Sequence, residues 1–234
     1  MLLALLACAG TVLPNLASSI GPSSSAEAKI NTAPLRLRAD RGTRPGTPLY
    51  ARASSTVNEV ITRDVARFRA AARRELPAIQ AQFPEAFYEL SLVPETTFDH
   101  PNLVSVRLSR YAYTAGAHGS ARFQSMTFGM VDGKARVIAL GNLFQPGFDY
   151  RAELSLHLAR KLSETGRASS LDEGNMSAEA ALAAAQWNVG KDGLEFAFGN
   201  YDVNSYAEGT IVVTVPYRDL AGLNPASILR VALR

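Results

Sequence analysis

The run RYAYTAGAHG, residues 110–119, holds the side chains of this chain best suited to chemistry. Tyr111 and Tyr113, one residue apart, lead into a loop where His118 stands between two glycines, Gly116 and Gly119. An imidazole changes charge near neutral pH and can serve as acid, base or ligand. Between two strands it can also donate to a carbonyl and accept from an N–H, locking a turn whose glycines take positive φ. Both roles stay open, because loops carried on rigid sheets also carry function. Further along, NYDVNSYAEG supplies Tyr201, Asp202 and Tyr206. Tyrosines give large amphipathic contact area at low entropy cost, which suits sugar or protein recognition at a sheet rim. The candidate ligand-binding residues are therefore Tyr111, Tyr113, His118, Tyr201, Asp202 and Tyr206; for each, the competing role is core or turn packing. With a carboxylate such as Asp202 in hydrogen-bond reach, His118 would instead equip a small hydrolase.

The other reactive residues form no such group. His100 sits in the turn-like FDHPN beside Asp99, and His157 lies between Leu154 and Leu158 on a helical pattern. None of the three histidines belongs to an H-x-x-x-H, H-E-x-x-H or Cys/His pair, so no metal or other cofactor is signalled. No G-x-S-x-G elbow, S-x-x-K or phosphate loop occurs, and acid pairs such as Asp172-Glu173 sit in a polar loop. A module without catalytic activity of its own is expected.

Composition sets the class. The 234 residues are 47% hydrophobic and 19% charged, enough to bury a core in one domain or two fused halves. The net charge is only +3, with arginines scattered rather than gathered, so no nucleic-acid partner is expected. Leu2 to Leu13 is an apolar run with no charged residue before Glu27. It is short beside the about twenty residues of a spanning helix and suits a secretory signal. Two export routes follow: cleavage near Ala26-Glu27-Ala28, or acylation of Cys8, which after Leu5-Leu6-Ala7 loosely matches a lipobox. Contact with membrane would then run only through a lipid on Cys8, the single cysteine. Without further cysteines the mature chain has no disulfide framework.

These residues need elements to position them. Residues 14–34, rich in Ser, Ala and Pro, read as leader, and LRLRAD with LYARAS reads as a first hairpin. Thr56-Val57-Asn58-Glu59 has the form of a capping box, and the apolar spacing of Val57, Val60, Ile61, Val65, Phe68 and Leu76 predicts a helix over 56–76. Strand patterns follow at 86–93, 102–113, 121–131 and 134–139, with Asp132-Gly133 as a two-residue turn. Asp149 caps a helix to about 164 whose Leu154, Leu158 and Leu162 share a face, and Ser177 opens a small helix over 178–186. WNVGKDGLEFAF and TIVVTVPY return to strands. This order predicts an α+β fold with antiparallel sheets and helices packed on one face.

LSRYAYTAGAHG, VIALGNLFQPG and GLEFAFGNYDVNSYAEGTIVVTVPY, in that order, resemble the bacterial RsiV-like domain family, a domain of unknown function. That family shows Y-x-Y-T-G-G-A-H-G and L-x-D-L-F; here Ala115 replaces the first loop glycine and Asn142 replaces the Asp. The part upstream resembles the accessory region of the PdaC-type peptidoglycan deacetylases. The resemblance divides the chain into a leader over 1–28, a PdaC-type N-terminal region over 29–96 and an RsiV-like C-terminal domain over 97–234. It implies an exported, periplasmic or extracellular cell-envelope module that binds a lysozyme-like muramidase or peptidoglycan glycan. The alternative is a small envelope hydrolase acting on cell-wall glycan through His118.

Overall fold

Thr47 and Pro48 start the first helix: the Thr47 hydroxyl accepts from the Tyr50 N–H at 3.3 Å, and Pro48 occupies the first turn, where its missing N–H costs nothing. In the computed structural model, which describes residues 28–33, 35 and 45–233, this helix, α1 (Pro48–Gln80), runs for 33 residues. It begins well before Thr56, so LYARAS is helical and the predicted first hairpin does not form. Glu59 accepts from the Ser55 hydroxyl at 2.7 Å instead of closing a capping box. Cys8, Ala26 and Glu27 of the proposed cleavage site and most of LRLRAD lie outside the described residues.

Strands β1 (Lys29–Thr32), β2 (Tyr88–His100), β3 (Leu103–Thr114), β4 (Ser120–Val131) and β5 (Lys134–Val137) form one sheet in sequential order. All neighbours are antiparallel except β1, which pairs parallel with Glu89 to Leu92 of β2. Residues read from sequence as leader thus contribute an edge strand. The expected Asp132-Gly133 turn is present, with φ of 50° and 72° at its two residues, the mirror-image conformation that matches strand twist. The division after residue 96 falls inside β2, and strands on both sides of it share this sheet.

A second sheet holds β6 (Gln186–Val189), β7 (Gly193–Phe198) and β8 (Ile211–Pro216). Between the two sheets in sequence come α2 (Tyr150–Ser163), α3 (Ser169–Asp172) and α4 (Ala178–Ala184). Asp149 and Ser177 cap α2 and α4 as expected.

Alternation along β3 explains the layering. Val104, Val106 and Leu108 face α1 and meet its buried Val57, Val60, Phe68 and Leu76. Ser105 and Arg107 face the other way, toward the second sheet: the Ser105 hydroxyl accepts from Asn188 Nδ2 at 2.9 Å and from the Val189 N–H at 3.1 Å. On β7, Leu194, Phe196 and Phe198 pack with Leu154, Leu158 and Leu162 of α2, while Glu195 reaches Arg107. The result is an α+β fold whose predominantly antiparallel sheets lie between α1 and α2. Each fully buried Leu or Phe contributes about 1.5–3 kcal/mol, so both helix faces are strongly fixed.

The two outlying histidines take local roles. His100 Nδ1 accepts from the Asn102 N–H at 3.1 Å, and His157 Nε2 lies 3.2 Å from Glu153, one helical turn back.

Candidate functional site

At the rim where β3 passes into β4, two loops bring aromatic rings together. The His118 ring stacks on Tyr206 with centroids 3.7 Å apart and planes at 20°. Tyr201 lies 6.2 Å from His118 and 6.0 Å from Tyr206, both tilted. His118 Nδ1 is 3.1 Å from the Gly119 carbonyl, which can only accept. Nδ1 therefore carries a hydrogen, and in the neutral ring Nε2, 3.2 Å from the Tyr201 hydroxyl, accepts from it. His118 is thus both turn lock and part of the aromatic group.

Gly119 serves this packing by its size. A Cβ there would lie 2.4 Å from the Tyr111 ring, so the absent side chain lets Tyr111 lie over the loop. Burial pushes the Tyr111 phenol above its ordinary pKa, with Glu89, Tyr206 and Tyr113 adding to the rise. The expected positive φ falls on neither Gly116 nor Gly119; Ala115 takes it, at 57°. This is where the resembling family has its first glycine, and a left-handed alanine costs about 1 kcal/mol. Ala115→Gly should relax that strain and raise the unfolding free energy by a few tenths to about 1 kcal/mol. Urea denaturation checks this; a loss of stability would show that Ala115 packs more than it strains.

The opposite loop is held as firmly. Asn200 joins it to β4: its N–H donates to the Ala121 carbonyl at 3.0 Å, and its Oδ1 accepts from the Ala121 N–H at 2.9 Å. Glu208 accepts from the Ser169 hydroxyl and the Ser205 N–H, which hold its carboxyl below the usual range. Arg167 donates to the Glu208 and Thr210 carbonyls. Within this frame Tyr201 has φ of 68°. Ala115 and Tyr201, one in each loop, are two of the three described non-glycine residues with positive φ; the third is the hairpin residue Asp132. Strain concentrated in facing loops is a mark of functional sites.

Tyr111, His118, Tyr201 and Tyr206 therefore come together as the sequence suggests. Tyr113 packs on Phe87 with centroids 4.9 Å apart, and the Lys29 ammonium lies over the Phe87 ring at 4.3 Å from its centroid. Asp202 turns inward, accepting from the Gly199 N–H at 2.7 Å. Among the described residues no hydrogen bond joins it to His118, so the acid–imidazole pair of the hydrolase reading is not formed. Asn200 and Phe87 escaped sequence reading. Gly199-Asn200 directly after a strand signals a turn, but its partner Ala121 is far away in sequence.

No group of His, Cys, Asp and Glu among the described residues is arranged to hold a metal ion. None of their helices is long and apolar enough to cross a membrane.

The fold and rim define an α+β protein with an exposed aromatic loop cluster. More particularly, two families are matched in order along the chain: residues 46–121 match the family described as Deacetylase PdaC, and residues 141–218 match the Protein of unknown function (DUF3298). A crystal structure of a DUF3298 member from Bacteroides fragilis NCTC 9343 is similar at 20% identity and TM-score 0.50, over 76% of this chain and 71% of that one. Another DUF3298 protein, from Pseudomonas aeruginosa PAO1, is similar at 20% identity and TM-score 0.44, over 63% of this chain and 68% of its own. No curated protein matches. The two matches together point to a cell-envelope-associated module of unknown function.

Proposed function

We propose that this chain is an exported binding module, without catalysis of its own, that holds cell-wall glycan against the Tyr201 rim. The observation that carries this reading is the exposed tyrosine braced in a strained backbone: Tyr201 is 58% exposed, has a positive φ and hydrogen-bonds His118. Tyr111 beside it is 39% exposed. Sugar rings present weakly positive C–H groups on one face, which complement the negative face of a phenol ring. The polar hydroxyls around the rings suit the sugar's edge. The chain's basic balance, pI about 9.1, favours acidic wall polymers over a basic lysozyme-like muramidase, the other ligand the resemblance implies.

The test is a sedimentation assay of the full chain with insoluble peptidoglycan and, in parallel, with a c-type lysozyme. Tyr201→Gly removes the ring and frees the backbone from its positive φ. It should weaken glycan binding about tenfold while the melting temperature stays level or rises. His118→Ala should weaken binding less, by loosening the brace. Unsaturable glycan binding, or binding indifferent to Tyr201→Gly, would overturn the reading, and saturable binding to the lysozyme alone would replace the ligand.

A further inference from the structure

A second groove lies at the far end of β4, about 30 Å along the strand from the aromatic rim. Its volume is about 550 Å³, and Arg136, Val137, Ile138, Asn142, Ser227 and Ile228 are among its lining. Gly129 makes room for it: a Cβ there would stand 2.9 Å from Ile228, so the C-terminal segment lies directly on the sheet. Arg136 pairs with Gly129 across β4 and β5 and so projects from the same face. Arg230 joins the lining two residues beyond Ile228.

The polar atoms around this groove are sorted by type. Asn142 Oδ1 is used inward, accepting from the Ala139 N–H at 3.0 Å, which leaves its amide hydrogens to donate. Ser227 Oγ likewise accepts from the Leu229 N–H at 3.2 Å and keeps its hydroxyl hydrogen. Neither Arg136 nor Arg230 has an ion-pair partner among the described residues. Among the described residues Asp132 at the hairpin tip is the one carboxylate in the lining, against two guanidiniums. Two forked cations and two neutral donors suit a carboxylate followed by amide carbonyls. Beside them Val131, on the same face as Gly129, and Ile228, both partly buried, offer apolar contact.

We infer that this groove binds the free C-terminal carboxylate of a short peptide with small apolar side chains. Arg136 and Arg230 take the carboxylate, Asn142 and Ser227 donate to the peptide's acceptors, and the side chains rest on Val131 and Ile228. This site is independent of the glycan reading and shares no residue with the aromatic rim.

The experiment titrates the full chain with acetyl-Ala-Ala as the free acid, with the same peptide as its C-terminal amide, and with inorganic phosphate, following methyl resonances of Val131, Ile138 and Ile228. The acid should saturate these shifts, with the amide at least about tenfold weaker. Asn142→Asp keeps the cap on Ala139 but exchanges a donor for a negative charge. It should cut affinity for the acid about tenfold or more at unchanged melting temperature, and Arg136→Gln with Arg230→Gln should abolish binding. Equal binding of acid and amide, no saturation by the acid, or an unaffected Asn142→Asp chain would overturn the inference. Phosphate binding as tight as the peptide's would overturn the peptide assignment.

Discussion

Replacing Arg107 with alanine should lower the unfolding free energy by about 3 kcal/mol at neutral pH, the lower end of what a buried charge costs when its partner is removed. Arg107 is 8% exposed and lies between the sheets, 3.0 Å from Glu195 and 2.7 Å from Glu95. The two carboxylates are not equivalent. Glu95 is 56% exposed and would return to water at little cost, whereas Glu195 is 23% exposed and would be left facing the Ser105 side of β3 without a cation.

The pH dependence has a definite sign. Burial pushes the Glu195 carboxyl above its ordinary value of 4.5, against the pull of Arg107. A carboxyl raised in the folded state binds more protons than in the unfolded chain. It therefore weakens the fold progressively as pH climbs from the ordinary value through the folded one, and costs nothing below both. Without Arg107 that rise becomes larger, so the loss in Arg107→Ala should be greater at about pH 8 than at about pH 5. Urea denaturation at both pH values measures this, and Glu195→Gln added to Arg107→Ala should recover much of the loss. A deficit under about 1 kcal/mol, or one equal at both pH values, would show that water reaches Glu195 freely.

Gly199→Ala is expected to have the second largest effect, with a different signature. A Cβ on Gly199 would come within 2.5 Å of the Ala121 carbonyl oxygen, a backbone atom of β4 that cannot swing aside. The loop must lift, and with it go both Asn200 contacts to Ala121 and the seat of Tyr201 and Tyr206 against His118. The cost should be about 2 kcal/mol of stability. Glycan binding should fall at least as far as in Tyr201→Gly. Hydrogen exchange separates this from general unfolding: the Asn200 amide should lose protection by more than the β7 amides do. Equal loss in both would mean that the loop and the second sheet open together.

How far these features could be read in advance follows from the range of the interactions. α2 was legible because its cap Asp149 and its face Leu154, Leu158 and Leu162 lie within four turns of one another. The hairpin at Asp132-Gly133 was legible because its chemistry is contained in two residues. α1 was misplaced because Thr56 to Glu59 has the form of a capping box, while the actual start, Thr47-Pro48, stands in a turn-rich stretch that conceals it. β1 was unreadable: its four residues pair with Glu89 to Leu92 across the whole of α1, and parallel pairing leaves no local turn signal.

The site divides in the same way. Tyr111, His118, Tyr201 and Tyr206 could be selected by residue type in two glycine-bearing stretches, because exposed tyrosines in loops carry their own reason for attention. Their meeting point could not, since it is set by Asn200 reading the backbone of Ala121. The hydrolase reading needs Asp202 in reach of His118, whereas its carboxylate accepts from the Gly199 N–H, a contact within its own loop.

One strand carries a further consequence. The PdaC match ends at residue 121 and the DUF3298 match begins at residue 141, so most of β4 falls in neither, yet β4 pairs with β3 on one side and receives Asn200 on the other. Ser105, in the first region, is likewise saturated by Asn188 and Val189 of the second. The two regions are therefore not beads on a string but halves of one cooperative unit, spliced through a strand that neither owns. A gene rearrangement that carried either half away alone would leave open sheet and unpaired buried polar groups behind.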